Sequence, residues 1–279
     1  MPVELGVSSP DARIVEEDAR RWLAAVPTRH ARRSYTGDPV PAADLDALEA
    51  LAARWAPWPD ARVVLVREAP QSMFAGVIGA YGGISNAPSA LAFIGTEEGR
   101  AEAVGYTGEG LVLEAASRGL DTCWVAGLFS AQKTADLVGL RPGERVYAVA
   151  ALGHACDRAT VKERLLVAAG RSKHRRPLEE IAPGCESWPQ WARSAVEAAR
   201  MAPSAMNRQP WRFAFDGDRL VLRLAGVDTP RTSKHLDGGI AMLHAEVGAM
   251  CAGMSGRWEL LDGPDVAEFL PDPRYTATR

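Results

Sequence analysis

The sequence predicts a mixed helix-and-strand protein built from two related halves. Runs of apolar residues at helical spacing alternate with short buried-strand patterns along the 279 residues. Hydrophobic residues make up 47% of the chain and the net charge is −3, a composition that lets a globular chain bury roughly three quarters of its unfolded surface. The order of these patterns in the first half then returns in the second.

The first half, residues 28–184, follows a polar N-terminal arm at residues 1–27. Leucines and a tryptophan at helical spacing predict a helix over residues 41–55. Further along the chain, the patterns predict a strand at 60–67, a loop at 79–89, a buried strand at 90–94, an Ala- and Leu-rich helix at 105–119 and a buried strand at 146–152.

The second, shorter half begins at residue 185, after a predicted turn at Pro183-Gly184. Ser187 and Gln190 are spaced as in a capping box, which predicts a helix from there to Met201. The segment SAVEAARMAP resembles ALEALAARWAP of the first half, and both precede a strand. Residues 107–124 and 236–258 likewise match as glycine-opened helices that end in glycine and tryptophan, so we interpret the halves as an internal repeat.

Composition and spacing argue against several function classes. The near-neutral charge lacks the basic excess of a nucleic-acid-binding protein. Four widely spaced cysteines and five scattered histidines form no metal-ligand pattern, and no run approaches the roughly 18 apolar residues of a membrane-spanning helix. We therefore expect a cytoplasmic protein with no metal, nucleic-acid or membrane partner. No set of side chains suggests a catalytic acid, base or nucleophile.

Four segments contain candidate binding residues. RRSYTGDPVP, residues 32–41, could grip an anion through two arginines and a serine, or be a solvated loop. GLDTCWVAGLF, residues 119–129, could be a helix C-cap and buried connector. Lys162-x-Arg164 means little as an isolated pair. APSAMNRQPWRF, residues 202–213, is the most specific, because Ser204 and Asn207 would project from a turn above Trp211.

Taken together, Arg-x-Ser, GLxTCW, Lys-x-Arg and PSxxNxQPW resemble the FMN-dependent nitroreductase superfamily. In that family PSxxN closely follows Arg-x-Ser, whereas here it lies some 170 residues later. Family homodimers bind FMN between subunits that supply Arg-x-Ser and PSxxN respectively. Because each half here carries what the other lacks, the chain is similar to the tandem-repeat, single-chain branch, the TM nitroreductases. The resemblance implies an α+β, nitroreductase-like fold whose two fused halves form an intramolecular pseudo-dimer.

The resemblance also implies a function. It implies an FMN-dependent oxidoreductase in which NADH or NADPH reduces a small organic electron acceptor by ping-pong hydride transfer through flavin N5. We expect a monomer with one FMN. The implied cofactor-binding residues are Arg32, Arg33, Ser34, Thr36, Trp124, Ala126, Gly127, Lys162, Arg164, Pro203, Ser204 and Asn207.

Two positions depart from the family pattern. Thr36 stands where many members have a lysine or arginine near the pyrimidine edge, and Ala126 replaces an acidic residue found in some. Losing a cation beside the reduced flavin should lower its reduction potential. Two alternatives stay open. One is an FMN storage or sequestration protein closed by Trp55, Trp58 or Trp124, and the other is a scaffold without FMN that uses RSKHRRP, residues 171–177, as an interaction patch.

Overall fold

The computed structural model describes residues 13–74, 83–157, 174–228 and 232–273. Its helices are α1 (Glu16–Ala25), α2 (Ala42–Arg54), α3 (Ala101–Ser117), α4 (Ala131–Val138), α5 (Leu178–Ile181), α6 (Gln190–Arg200) and α7 (Lys234–Cys251). Its strands are β1 (Ala61–Val66), β2 (Ser89–Thr96), β3 (Asp121–Val125), β4 (Glu144–Gly153), β5 (Trp211–Asp216), β6 (Arg219–Leu224), β7 (Gly256–Leu260) and β8 (Asp265–Pro271). The predicted α+β class is confirmed.

The strands form two antiparallel sheets with the same order. The first sheet runs β1-β2-β4-β3 and the second runs β5-β6-β8-β7. In each sheet a long helix joins the second and third strands in chain order, α3 in the first and α7 in the second. The pairing of the second with the fourth strand shifts register once in each sheet, between Phe93 and Ile94 and between Leu222 and Arg223. The chain therefore repeats one topology.

The helices α3 and α7 cross at a distance that only glycine allows. A Cβ atom on Gly105 would lie 2.1 Å from the carbonyl oxygen of Leu236, and one on Gly239 would lie 1.9 Å from that of Glu102. Real Cβ contacts are much longer, so both positions need glycine. The two contacts are reciprocal, because each glycine meets the residue three positions before the other, which is the pattern of a local two-fold axis.

The predicted N-terminal arm contains helix α1, which is part of the main core. Trp22 is fully buried, and its ring meets that of Trp55 edge-on with centroids 5.5 Å apart. The Trp22 indole donates to Glu114 Oε2 over 2.9 Å, so the polar end of this buried ring is satisfied. Of the charged residues that suggest an arm, Glu16, Glu17 and Arg20 are exposed, whereas Asp18 is buried and accepts from Arg21 and Arg54.

Predicted and observed elements differ mainly at their ends. The helix expected at 105–119 begins at Ala101, and its glycines lie inside α3, where they face neighbouring side chains and backbone. The predicted capping box is wrong. Pro189 precedes α6 without a side-chain cap, and the Ser187 hydroxyl donates instead to the carbonyl of Gly184 over 2.8 Å. Among the described residues, no helix is long and apolar enough to span a membrane.

Candidate cofactor-binding site

The Arg-x-Ser segment is an extended strap held on one side by β3 and the turn after β4. The Arg32 amide donates to the carbonyl of Thr122 over 3.1 Å, and Arg32 Nη2 donates to the carbonyl of Cys156 over 2.5 Å. The Cys156 amide donates back to the carbonyl of Ser34 over 3.0 Å. Ser34 is buried and Arg32 is half-buried, so this strap presents its arginine from a fixed backbone.

The other side of the strap is hydrogen-bonded to residues 83–86. The Tyr35 backbone amide donates to the carbonyl of Ser85, and the Ser85 backbone amide donates to the carbonyl of Arg33. Thr36 is exposed, and its amide donates to the carbonyl of His154 over 2.9 Å. Arg33 and Thr36 thus belong to the same hydrogen-bonded strap as Arg32. The Arg33 side chain is half-buried, whereas Thr36 is exposed.

The end of β3 carries the second set of predicted residues. The Trp124 ring stacks on Phe93 with centroids 3.9 Å apart, and its indole donates to Glu109 Oε2 over 2.7 Å. A Cβ on Gly108 would lie 2.7 Å from both rings, so this glycine makes room for the stack. Gly127, just after β3, has a φ of +79°, in the left-handed region that favours glycine.

A buried pair joins Trp124 to helix α7 of the other half. Glu109 and His244 are both fully buried, and Glu109 Oε1 lies 2.9 Å from His244 Nε2. Because the second carboxylate oxygen of Glu109 accepts from Trp124, one side chain of α3 connects the strand to α7. The tryptophan is therefore positioned by both halves of the chain.

The PSxxN segment forms a strained loop between α6 and β5. Met206, Asn207 and Gln209 have φ values of 51°, 55° and 47°, in the left-handed region that non-glycine residues rarely adopt. Ser204 Oγ accepts from the Gln209 amide over 2.9 Å and closes the loop. Such strain persists only where surrounding contacts hold it, and it concentrates at functional sites.

Helix α7 also holds this loop. Asp237, in its first turn, accepts from the Ala205 amide over 3.0 Å and from Arg208 Nε over 2.6 Å. Asp237 and His244 are seven residues apart, so they share a face of α7 and lie about 10 Å apart along its axis. Burial raises the pKa of Asp237 to about 6 although Arg208 lowers it. The 203–209 loop and Trp124 therefore lie along one face of this helix.

Arg175 and its neighbour His174 connect the loop to the end of the first half. Arg175 Nη1 donates to Asn207 Oδ1 over 2.8 Å, and the side-chain Nδ2 of Asn207 donates to the carbonyl of His174 over 2.8 Å. Burial lowers the pKa of Arg175, and the positive charges of Arg29 and Arg200 lower it further. Residues more than 30 positions apart in the sequence therefore meet here.

The structure holds Arg32, Arg33, Ser34 and Thr36 in one strap, and it connects Trp124 and the 203–209 loop to helix α7. Lys162 and Arg164 lie outside the described residues. Asn207 uses its amide to hold residues 174 and 175, a contact that the sequence did not suggest. Sequence reasoning also missed Arg29, Glu109, Arg175 and His244. Arg29 and Arg175 stand next to segments that were singled out, whereas nothing local distinguishes the Glu109–His244 pair.

Comparison with known proteins decides the family. A model of the family described as "Putative TM nitroreductase" matches residues 22–249 of this chain. The chain belongs to the nitroreductase family. Family membership places it among the oxidoreductases. No curated protein matches the sequence.

A solved structure supports the fold of this nitroreductase-family chain. A Thermotoga maritima protein described as a "putative nitroreductase" is 22% identical over 90% of this chain and 94% of its own, with a TM-score of 0.57. Family proteins from Clostridium difficile 630 and Bacteroides fragilis NCTC 9343 are 20% and 19% identical. They cover 58% and 51% of this chain and 95% and 92% of their own, with TM-scores of 0.43 and 0.39. The Bacteroides structure is described with bound FMN.

Proposed function

We propose that this nitroreductase-family chain is an FMN-dependent oxidoreductase that uses NADH or NADPH to reduce a small organic acceptor. The observation that carries the proposal is a pair of contacts that join the two halves at predicted site residues. Arg175 of the first half donates to Asn207 of the displaced PSxxN loop, and Glu109, which accepts from Trp124, lies 2.9 Å from His244 of α7. The shared topology of the two sheets and the reciprocal α3–α7 crossing support a pseudo-dimer in which one site is built from both halves.

The described residues have the chemistry that FMN requires. Arg32 offers a guanidinium fork suited to a phosphate, and Ser34 lies beside it on a fixed backbone. The Ser204 hydroxyl accepts one hydrogen bond from Gln209 and keeps its own proton to donate. At the end of β3, Ala126 and Gly127 are small residues that allow a ring to approach the backbone. These residues would hold the phosphate, the ribityl chain and the ring respectively.

The chain's own groups contribute placement rather than acid–base chemistry. When bound, FMN would accept a hydride at N5 from the nicotinamide and donate it to the acceptor in a ping-pong cycle. Glu109 and His244 fix the indole of Trp124, and Trp124 in turn fixes the course of the chain into Ala126. The strained 203–209 loop holds Pro203 and Ser204 from the other half. Preorganised positions of this kind avoid reorganisation during the reaction.

The storage alternative depends on tryptophans that could close the site, and the structure argues against them. Trp55 and Trp58 are each only 2% exposed and pack in the main core. The Trp55 indole donates to the carbonyl of Thr107 over 3.0 Å, inside the first half. Trp124 is held by the stack on Phe93 and by Glu109. None of the three is placed as a mobile lid, so we favour turnover over storage.

The decisive experiment is flavin reconstitution followed by anaerobic reduction. We expect purified protein to show flavin absorbance with FMN, and NADH or NADPH to bleach it without oxygen. Arg32→Gln should weaken FMN binding at least about tenfold, since a hydrogen bond to a charged group contributes roughly 1.5 to 3 kcal/mol. Arg193→Gln, an exposed arginine of α6, is the control. Protein that never binds FMN would refute the proposal, and bound flavin that no nicotinamide reduces would favour storage.

A further inference from the structure

Arg29 is a buried arginine whose guanidinium lacks hydrogen-bond partners for two of its nitrogen atoms. Arg29 is 8% exposed, and its Nε and Nη1 atoms are buried without a hydrogen-bond partner among the described residues. Among the described residues no carboxylate forms an ion pair with Arg29, and no aromatic ring forms a cation–π contact with it. A buried guanidinium costs free energy unless an anion or several acceptors compensate it, so these atoms indicate a missing partner.

Arg175 and Arg200 are cations that act in the same region as Arg29. Arg200 Nε donates to the carbonyl of Arg176 over 2.7 Å, which places Arg200 close to Arg175, and the positive charges of Arg29 and Arg200 lower the pKa of Arg175. Arg175 also donates to the carbonyl of Met201 at 3.4 Å and to Asn207 at 2.8 Å, so its guanidinium is oriented by the end of α6 and the strained loop. Folding brings these cations together from three separated segments of the chain.

We propose that Arg29 binds a phosphate group. A phosphate carries the negative charge that this buried guanidinium lacks, and its oxygens can accept from the Nε and Nη1 atoms that have no hydrogen-bond partner. The resemblance assigns no role to this arginine. The phosphate could be free, or it could belong to the flavin or to NADPH. The site itself does not depend on which of these molecules carries the group.

The alternative is that Arg29 is only a structural side chain. A structural arginine would stabilise the protein through its own contacts, and removing it would then be destabilising. An arginine kept for an absent anion has the opposite effect, since replacing it by an apolar side chain of similar length removes an uncompensated buried charge. In the absence of phosphate, the two interpretations therefore predict opposite changes in stability when Arg29 is replaced by an apolar residue.

Thermal unfolding and calorimetric titration of the full chain with inorganic phosphate test the site, with chloride at equal ionic strength as the reference. We expect phosphate to raise the Tm of the wild-type protein. Arg29→Met should have a higher Tm than wild type in chloride, by at least about 2 °C, and should gain nothing from phosphate. Its phosphate affinity should fall at least tenfold. Arg193→Gln should behave like wild type in both salts.

Two outcomes would overturn the proposal. One is an equal gain in Tm from phosphate in wild type and Arg29→Met, and the other is an Arg29→Met protein that is less stable than wild type in chloride. If Arg29→Met fails to fold, Arg29→Lys keeps the charge but loses the fork, and an unchanged phosphate affinity in that variant would equally refute the site.

Comparing FMN with riboflavin identifies the source of the phosphate. If Arg29→Met weakens FMN but not riboflavin, the flavin's phosphate occupies the site. If both flavins bind normally while inorganic phosphate no longer binds, another ligand supplies the group, and a rise in the KM for NADPH but not for NADH would identify the nicotinamide 2′-phosphate. The titration with inorganic phosphate needs no flavin, so failure of the proposed flavin function would be distinguishable from failure of this site.

Discussion

At the scale of single residues, Glu246 is a carboxyl group whose ionisation is linked to folding. It is 6% exposed, and the Tyr106 hydroxyl donates to its Oε2 over 2.8 Å. Burial raises the pKa of Glu246 to about 7, although the hydrogen bond from Tyr106 and the charge of Arg13 act in the opposite direction. The folded state therefore holds this proton more tightly than the unfolded chain, whose carboxyl has the ordinary glutamate pKa near 4.5.

A glutamine at this position tests the linkage. With a raised folded pKa, stability is fully present below about pH 4.5 and is lost as the pH rises through 7. We expect the wild-type free energy of unfolding to fall by about 3 kcal/mol across this window relative to that of Glu246→Gln. Urea unfolding at several pH values measures it. Exposed Glu17→Gln is the control, and parallel pH profiles for wild type and Glu246→Gln would contradict the prediction.

At the scale of elements, the crossing of α3 and α7 determines how closely the two halves approach. Glu102, which meets Gly239 through its carbonyl, also accepts from Arg100 and lies 2.6 Å from His235 Nδ1 through its side chain. The contact between the helices therefore combines backbone packing with a buried polar pair. We expect that adding a single methyl group at this crossing would disturb the packing of both halves.

Gly239→Ala and Gly238→Ala form a matched pair of substitutions. The methyl group at 239 would lie 1.9 Å from a backbone oxygen and should destabilise the fold by about 3 kcal/mol or more. At 238 the nearest atoms are side-chain carbons of Leu224 from 3.1 Å, which can yield, and the gain in helix propensity offsets part of the cost. Denaturant midpoints compare the two, and equal stability would contradict the close crossing.

At the scale of the whole molecule, the two sheets repeat one topology, and we propose that one chain is the counterpart of a dimer. We expect a monomer of the 29.9 kDa chain mass with one FMN. Light scattering with flavin absorbance gives both values. Fragments 1–184 and 185–279 expressed separately should bind no FMN, because the Glu109–His244 and Arg175–Asn207 contacts join residues on opposite sides of that cut. Co-expression should restore binding, and two flavins per chain would refute the arrangement.

The sequence predicts the local features well because they depend on neighbouring residues. Helical spacing of leucines predicts α2 to within one residue at each end, and the short apolar runs predict β1, β2 and β4. Local signals fail where a distant contact intervenes. Pro189, and not Ser187, directly precedes α6, and the glycines of α3 mark close packing inside the helix, with Gly105 at the crossing with α7, rather than a helix start. The sequence motifs of the candidate site can be recognised, but the residues that contact them in the folded chain cannot be predicted from the sequence.

By itself, the sequence determined the α+β class and the family resemblance, and it predicted the two related halves and the candidate cofactor residues. Only the tertiary structure decided that Glu109 meets His244, that Arg175 holds Asn207, and that Nε and Nη1 of the buried Arg29 have no hydrogen-bond partner among the described residues. The physical reason is that burial and electrostatic pairing depend on which segments folding brings together. Residues 109 and 244 are 135 positions apart, so no local pattern of charge or hydrophobicity can report their contact.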